Sequence, residues 1–313
     1  MSIRARLVAA AVLAVGILGL TGATGGIAGA AAPSAADCSS GVLASGTYNS
    51  LALLPGFCLI EPGSAVTITG PVTVPSGSVL VVGLTPEFSI GPASLTVTGP
   101  LRLSDASGIL ALAGSVHIGG PLTVGPNAMF EAPGSFEPQV TVGGGVTVES
   151  QGAFISGTLS PNGSAIGGPV RATDPSTIQI SGSTVSGPIT VTGGGGSNAV
   201  IDELPFSSPG YNTVWLAGNT ILGPVNVQGF AGNFLMIGSP QPELGLGTST
   251  GNSIGGSLTV SGHPLTGVPS ESFPGFWDVN ENTVSGNAKC SANGPDSNIG
   301  GFNVVSGHVN TCG

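Results

Sequence analysis

Residues 185–191 read Val-Ser-Gly-Pro-Ile-Thr-Val, and nine other segments of the chain are variants of them. They are ITGPVTV from Ile68, VTGPLRL from Val97, IGGPLTV from Ile118, VGGGVTV from Val142, IGGPVRA from Ile166, ILGPVNV from Ile221, IGGSLTV from Ile254, VSGNAKC from Val284 and VSGHVNT from Val305. Their central glycines are Gly70, Gly99, Gly120, Gly144, Gly168, Gly187, Gly223, Gly256, Gly286 and Gly307. Successive glycines lie 19 to 36 residues apart, a spacing that marks a repeat architecture.

In an extended chain Val185, Gly187, Ile189 and Val191 point to one side and Ser186, Pro188 and Thr190 to the other. Glycine lets the backbone bend with no side chain in the way. The proline after it fixes φ and donates no hydrogen bond, which suits the start of a strand and not its centre. Each copy therefore reads as a structural corner between two short strands. A further β-rich run between corners, as at 78–82, 109–112, 128–131, 177–180 and 213–216, supplies a third strand.

The predicted fold is all-β, a coil of about ten turns with three short strands in each. It spans residues 65–313, preceded by an N-terminal capping turn over 37–64. This pattern resembles the right-handed parallel β-helix, the architecture shared by pectate lyases, polygalacturonases and many surface adhesins. A left-handed coil would keep a strict hexapeptide period, which the uneven glycine spacing does not. The resemblance is one of architecture. It implies a column lined with aliphatic side chains, each turn stacked on the one before.

The first 36 residues read as a secretory signal: Arg4 and Arg6 precede an apolar run from Leu7 to Leu20, and Ser34-Ala35-Ala36 fits a small-x-small cleavage site. The apolar run is shorter than the roughly 20 residues of a membrane-spanning helix. Asp37 stands before Cys38, where a lipoprotein signal is expected to carry a small uncharged residue, so a released protein is expected. Contact with a membrane is then confined to the cleaved segment.

An oxidising destination agrees with four cysteines placed at the two ends of the chain. Cys38 and Cys58 are 20 residues apart, Cys290 and Cys312 are 22 apart, and both intervals are close to one turn. Stacked positions on adjacent turns are roughly 4.8 Å apart, near the range a disulfide spans. The expected pairs are Cys38–Cys58 and Cys290–Cys312, although the position in register with Cys290 is Thr311, one residue before Cys312. A four-cysteine metal site would need ligands from opposite ends of the coil to converge.

Charged residues make up 6% of the chain and hydrophobic ones 40%, with 55 glycines and 25 prolines. Disorder accompanies low hydrophobicity and high net charge, whereas here the aliphatics recur at alternate positions. Thr, Ser and Asn take the outward positions in place of Lys and Glu. The net charge of −10 becomes −12 once Arg4 and Arg6 leave with the signal, and Arg102, Arg171 and Lys289 are then the only Lys or Arg side chains. Nucleic acid is excluded as a partner, because phosphate binding rests on Lys and Arg. The three lie in different turns and form no visible basic cluster, which also argues against pectate-lyase-type proton abstraction.

Catalytic motifs are few. Gly247–Gly251 and Gly251–Gly255 match GxSxG, at a frequency that glycine and serine content alone explains, and the nucleophile elbow requires a strand-to-helix turn. Asp278, Asn280 and Asn282 open like a calcium loop, but Thr283 and Lys289 stand where glycine and glutamate should be. A looser calcium grouping of Asp278, Glu281 and loop carbonyls remains open. His117 and His308 occupy outward positions and His263 precedes Pro264, so all three read as surface residues. Polygalacturonase-like proteins are expected to carry NTD, GHG and RIK segments, none of which is found. Asp202 and Glu203 are adjacent and would face opposite sides of a strand, unlike a glycosidase pair. No catalytic residue, metal ligand or cofactor is assigned.

The longest intervals between glycines run consecutively from Gly187 to Gly286, and the additional residues must leave the column as loops. This region carries Phe206, Tyr211, Phe273, Phe276 and Trp277 beside Asp202, Glu203, Glu243, Glu271 and Asp278, with Trp215 in a flanking strand. Such residues can pack against the column's flank or form a shelf for carbohydrate; the shelf would consist of Phe206, Tyr211, Trp215, Phe276, Trp277, Asp202, Glu203 and Asp278.

Asn219, Asn252, Asn282 and Asn303 each stand two residues before the first apolar position of a copy. Asparagine suits a corner, and stacked on successive turns these side chains would form an amide ladder. The repeated Asn-x-Ile/Val-x-Gly pattern, with Asn282–Cys290 reading NTVSGNAKC, is similar to secreted solenoid proteins of high-GC Gram-positive bacteria. The expected function is a secreted or cell-surface, non-catalytic solenoid with a structural or adhesive role. The alternative is a β-helix that binds or cleaves polysaccharide through the Gly187–Gly286 loops. Cell-wall or extracellular polysaccharide is the expected partner, and the open end of a solenoid invites end-to-end self-association.

Overall fold

The computed structural model describes residues 35–132, 138–149, 154–157, 164–195, 213–232, 234–239, 250–263, 276–291, 293, 302–310 and 312. Residues 1–34 of the expected signal at 1–36 lie outside them. Among the described residues there is no helix, and every strand-to-strand ladder is parallel, as a coil climbing in one direction requires.

Each turn contributes one strand to each of three long sheets, of 11, 10 and 9 strands. The first sheet takes the strand before the glycine bend, the second the strand after it, and the third the run between bends. Thr184–Val185 and Ile189–Thr192 are the strands on either side of Gly187, followed in the next turn by Thr213–Ala217 of the third sheet. Val185 pairs with Ile166 below and Ile221 above, and Ile189 with Val170 and Val225. The chain is thus a parallel β-helix. With 11 stacked strands in the first sheet, the column is roughly 48 Å tall.

The core is one continuous aliphatic cluster from Ala36 to Cys312. Val185, Ile189 and Val191 are fully buried, and so are their counterparts in neighbouring turns. Burying a side chain of this kind is worth about 1.5–3 kcal/mol, and every turn supplies several.

The bend explains its glycine. A Cβ on Gly187 would sit 2.6 Å from the backbone nitrogen of Pro169 in the turn below, and one on Gly223 2.6 Å from that of Pro188. Backbone packs on backbone here, and Gly144 donates to the Gly120 carbonyl at 3.1 Å.

Two findings revise the expected boundaries. Gly46–Tyr48 pairs with Val66–Ile68 in the first sheet, and Gly56–Ile60 with Ser78–Val82 in the third. Residues expected to form a separate cap over 37–64 are therefore already the lowest turn of the coil. The cap proper is a two-stranded sheet of Ala35–Asp37 on Ser50–Ala52, in which Ala36 is fully buried. This strand straddles the expected cleavage point, so a cut after Ala36 leaves only Asp37 of it.

Disulfides join Cys38 to Cys58 and Cys290 to Cys312, with Cα–Cα distances of 5.9 and 5.1 Å. Cys312 lies beyond the last paired residues, Lys289 with Asn310, and reaches Cys290 in spite of the one-residue offset.

The asparagine ladder is present. Asn219 Nδ2 donates to Asn252 Oδ1, Asn252 to Asn282 and Asn282 to Asn303, each at 2.9 Å. Every amide also donates to a carbonyl of the third sheet, Ile180, Leu216, Ile237 and Val279 in turn. Lower in the column the same role passes to Ser164, whose Oγ accepts from the Val140 N–H at 3.1 Å. Below that the slot holds Val140, Val116 and Leu95, which are buried and apolar.

The outer faces differ in character. On the third sheet, Val81, Leu84, Leu110 and Leu112 form a second buried apolar cluster, closed by the loop in which Leu84 bridges Ile90. On the second sheet the central outward column is wholly polar. Thr73, Arg102, Thr123, Thr147, Arg171, Thr190, Asn226, Thr259 and Lys289 occupy one register position.

Candidate functional site

The residues expected to form a carbohydrate shelf converge, where they are described, on the third sheet. One register position of this sheet runs through Glu131, Ser156, Gln179, Trp215, Met236 and Asp278. The segments at 133–137, 158–163 and 240–249 follow strands of this sheet, and those at 150–153, 196–212 and 264–275 precede them. Asp202, Glu203, Phe206 and Tyr211 fall in these segments, with Glu243, Glu271 and Phe273, and lie outside the described residues.

Trp215 is half-buried and meets the ring of Phe234 edge-on, at 6.5 Å between centroids. Its indole N–H is buried and has no hydrogen-bond partner among the described residues. Phe276 lies in the strand Phe276–Val279, paired with Phe234.

Trp277 does not belong to a shelf. It pairs with the fully buried Leu235, is 3% exposed and forms part of the aliphatic core. Alternation along the strand sends Trp277 and Val279 inward, so the ring stacks in the column. Asp278 points away from the column yet is also buried, and its Oδ2 accepts from Asn280 Nδ2 at 2.7 Å. The expectation that Trp277 and Asp278 present themselves to a ligand is corrected.

The same contacts dissolve the calcium-loop resemblance. Asn280 is turned onto Asp278, Asn282 is engaged in the ladder, and Glu281 sits exposed at the bend with φ 52°. Among the described residues no three His, Cys, Asp or Glu side chains converge on a point that could hold a metal ion.

Two carboxyl groups are buried on this face. Glu131 is half-buried with an Oε2 that is buried and has no partner among the described residues, and burial pushes its carboxyl up to about 7. Asp278 is five strands further up the column, roughly 24 Å away. A glycosidase pair needs a separation of about 5–10 Å, so these two cannot flank one bond. Ser253 of the second GxSxG match lies in a two-residue strand, paired with Thr283, with no helix after it. The first match falls at Gly247–Gly251, largely outside the described residues.

His117 and His308 are exposed at outward positions. His263 is not a surface residue: it is 1% exposed, its ring stacks on Phe230 at 6.1 Å, and its Nδ1 is hydrogen-bonded to the Phe230 carbonyl. A carbonyl only accepts, so Nδ1 carries the proton and Nε2 is left as a buried lone pair with no partner among the described residues. Burial holds this imidazole below its ordinary value, against the opposing pull of the Phe230 carbonyl.

Comparison of the chain with protein-family models, with curated proteins and with solved structures gives no match.

Proposed function

We propose that this protein is a secreted, non-catalytic β-solenoid with a structural or adhesive role at the cell surface. The observation that carries the reading is a continuous stacked column fastened by a disulfide at each end. Disulfides persist in oxidising compartments, and the leader-like first 36 residues agree with export. An exterior of threonine, serine and asparagine with only 6% charged residues suits a body that meets other hydroxyl-rich matter over its length. The test is expression from the complete reading frame, followed by fractionation and a turnover assay on neutral and uronic polysaccharides, with and without calcium. The reading expects export with both disulfides formed and no turnover. Retention in the cytoplasm, or turnover of any polysaccharide, contradicts it.

A second reading, polysaccharide binding or cleavage by residues between Gly187 and Gly286, draws on Trp215, a half-buried aromatic side chain on the outer face of the third sheet. Loss of glycan binding in Trp215→Ala, with thermal stability unchanged, would favour it.

A further inference from the structure

Every lysine and arginine beyond Arg6 lies at one register position on the outer face of the second sheet. Arg102, Arg171 and Lys289 are separated by three and four strands, roughly 14 and 19 Å. Three cations in a chain of net charge −10 have thus been placed in one line by loops of very unequal length.

Arg102 is committed, since its guanidinium grips Glu149 two strands above with contacts of 2.8 and 3.5 Å. Glu149 is the only acid in the strands of this sheet. Arg171 and Lys289 are exposed and make no ion pair among the described residues. The positions between them, Thr190, Asn226 and Thr259, are neutral donors and acceptors.

The flanks of this column complete the surface. Two residues before it, at the bend, Pro71, Pro100, Pro121 and Pro224 are exposed. Two residues after it, Thr173, Thr192 and Gln228 are exposed. Alternation along a strand puts all three columns on one side. An apolar ridge, a hydrogen-bonding and cationic centre and a second hydrogen-bonding column therefore run side by side along the coil. Sugar rings have the matching division, with C–H faces and hydroxyl edges.

We propose that this face binds a linear acidic heteropolysaccharide lying along the axis of the coil, its charged groups spaced several sugars apart. The proposal rests on the surface-adhesive reading and names its partner. The rise of one turn is about 4.8 Å, close to the advance of an extended hexose chain per sugar, so the two uncommitted cations, four turns apart, match one carboxylate per oligosaccharide repeat. A polymer with a carboxylate on every sugar would place most of them against threonine with no cation to meet. A nucleic acid would demand far denser positive charge.

The experiment measures binding of the secreted protein to depolymerised low-acyl gellan, a linear glycan with one glucuronate per repeat, beside polygalacturonate and dextran. Wild type is expected to prefer gellan, with binding that weakens as salt rises. The variant carrying Arg171→Thr and Lys289→Thr, at exposed positions where threonine already fills neighbouring turns, should melt like wild type and bind gellan roughly tenfold or more weakly. Equal binding by wild type and variant overturns the proposal. So does a preference for polygalacturonate or dextran, or the absence of any glycan binding. Those outcomes leave the surface reading to its own test, the distribution of the protein between cytoplasm and exterior.

Discussion

The side-chain amide of Asn252 donates to Oδ1 of Asn282 at 2.9 Å while its own Oδ1 accepts from Asn219 at 2.9 Å, so each of these buried asparagines is both donor and acceptor to its neighbours in the stack. The remaining N–H of Asn252 goes to the Leu216 carbonyl at 2.8 Å, and its Oδ1 also takes the Asn219 backbone N–H. Asn252→Ala strands all of these partners, and leaving a buried polar group unpaired costs about 1–3 kcal/mol each. A loss of about 3 kcal/mol or more in denaturant unfolding is expected. Asn252→Ser should cost less, because serine fills the equivalent position at Ser164 and still accepts a backbone N–H.

The bend glycines should tolerate no side chain. At Gly187 an added Cβ meets backbone of the turn below, which cannot rotate away. Gly187→Ala should destabilise by about 1–3 kcal/mol, the usual cost of overpacking. Ser186→Ala, an exposed neighbour, should fall within about 0.5 kcal/mol of wild type. Equal melting of the two variants would contradict the packing described at the bend.

Trp277→Ala should act as a core deletion, costing about 3–5 kcal/mol, because the ring lies inside the column against the strand of Leu235. Reduced glycan binding with unchanged stability in this variant would contradict that placement.

Stability should vary with pH through two groups of opposite sign. The Glu131 carboxyl is raised from 4.5 to about 7, so the folded state holds a proton there that the unfolded chain has released. Its contribution is complete below pH 4.5 and is lost as pH rises through about 7, a change of at most about 3 kcal/mol. The His263 imidazole is lowered from 6.5, so its contribution is complete above 6.5 and lost as pH falls through the lower folded value. Glu131→Gln should therefore gain on wild type as pH is raised from 5 to 8, and His263→Gln should gain as it is lowered. Parallel pH profiles for wild type and both variants would show that neither group is buried as described.

Much of this fold is local arithmetic. A glycine bend with aliphatics two residues either side needs no knowledge of the rest of the chain, and Val185, Ile189 and Val191 are buried as the alternation requires. The cysteine pairs and the asparagine ladder follow once the turn length is known. Other features depend on contacts between turns. Phe276 and Trp277 are adjacent rings, and pairing with Leu235 is what sends Trp277 inward. His263 looks like a loop residue until Phe230 of the previous turn stacks on it. The alignment of Arg102, Arg171 and Lys289 is hidden because insertions of different length separate strands that stack directly. The lowest turn is hidden because Ser50 follows Gly46–Tyr48 where the other turns carry the bend glycine.

The stacking of turns in one register is most directly tested by distances between spin labels along the outer column of the second sheet. Labels at Thr73→Cys paired with Thr147→Cys, Arg171→Cys or Lys289→Cys are separated by three, four and eight strands. The backbone positions that carry them should be roughly 14, 19 and 38 Å apart, a linear climb of about 4.8 Å per strand. Distances that fail to rise in this order, or a pair from the two ends of the column lying close together, would contradict the parallel coil on which the functional reading stands.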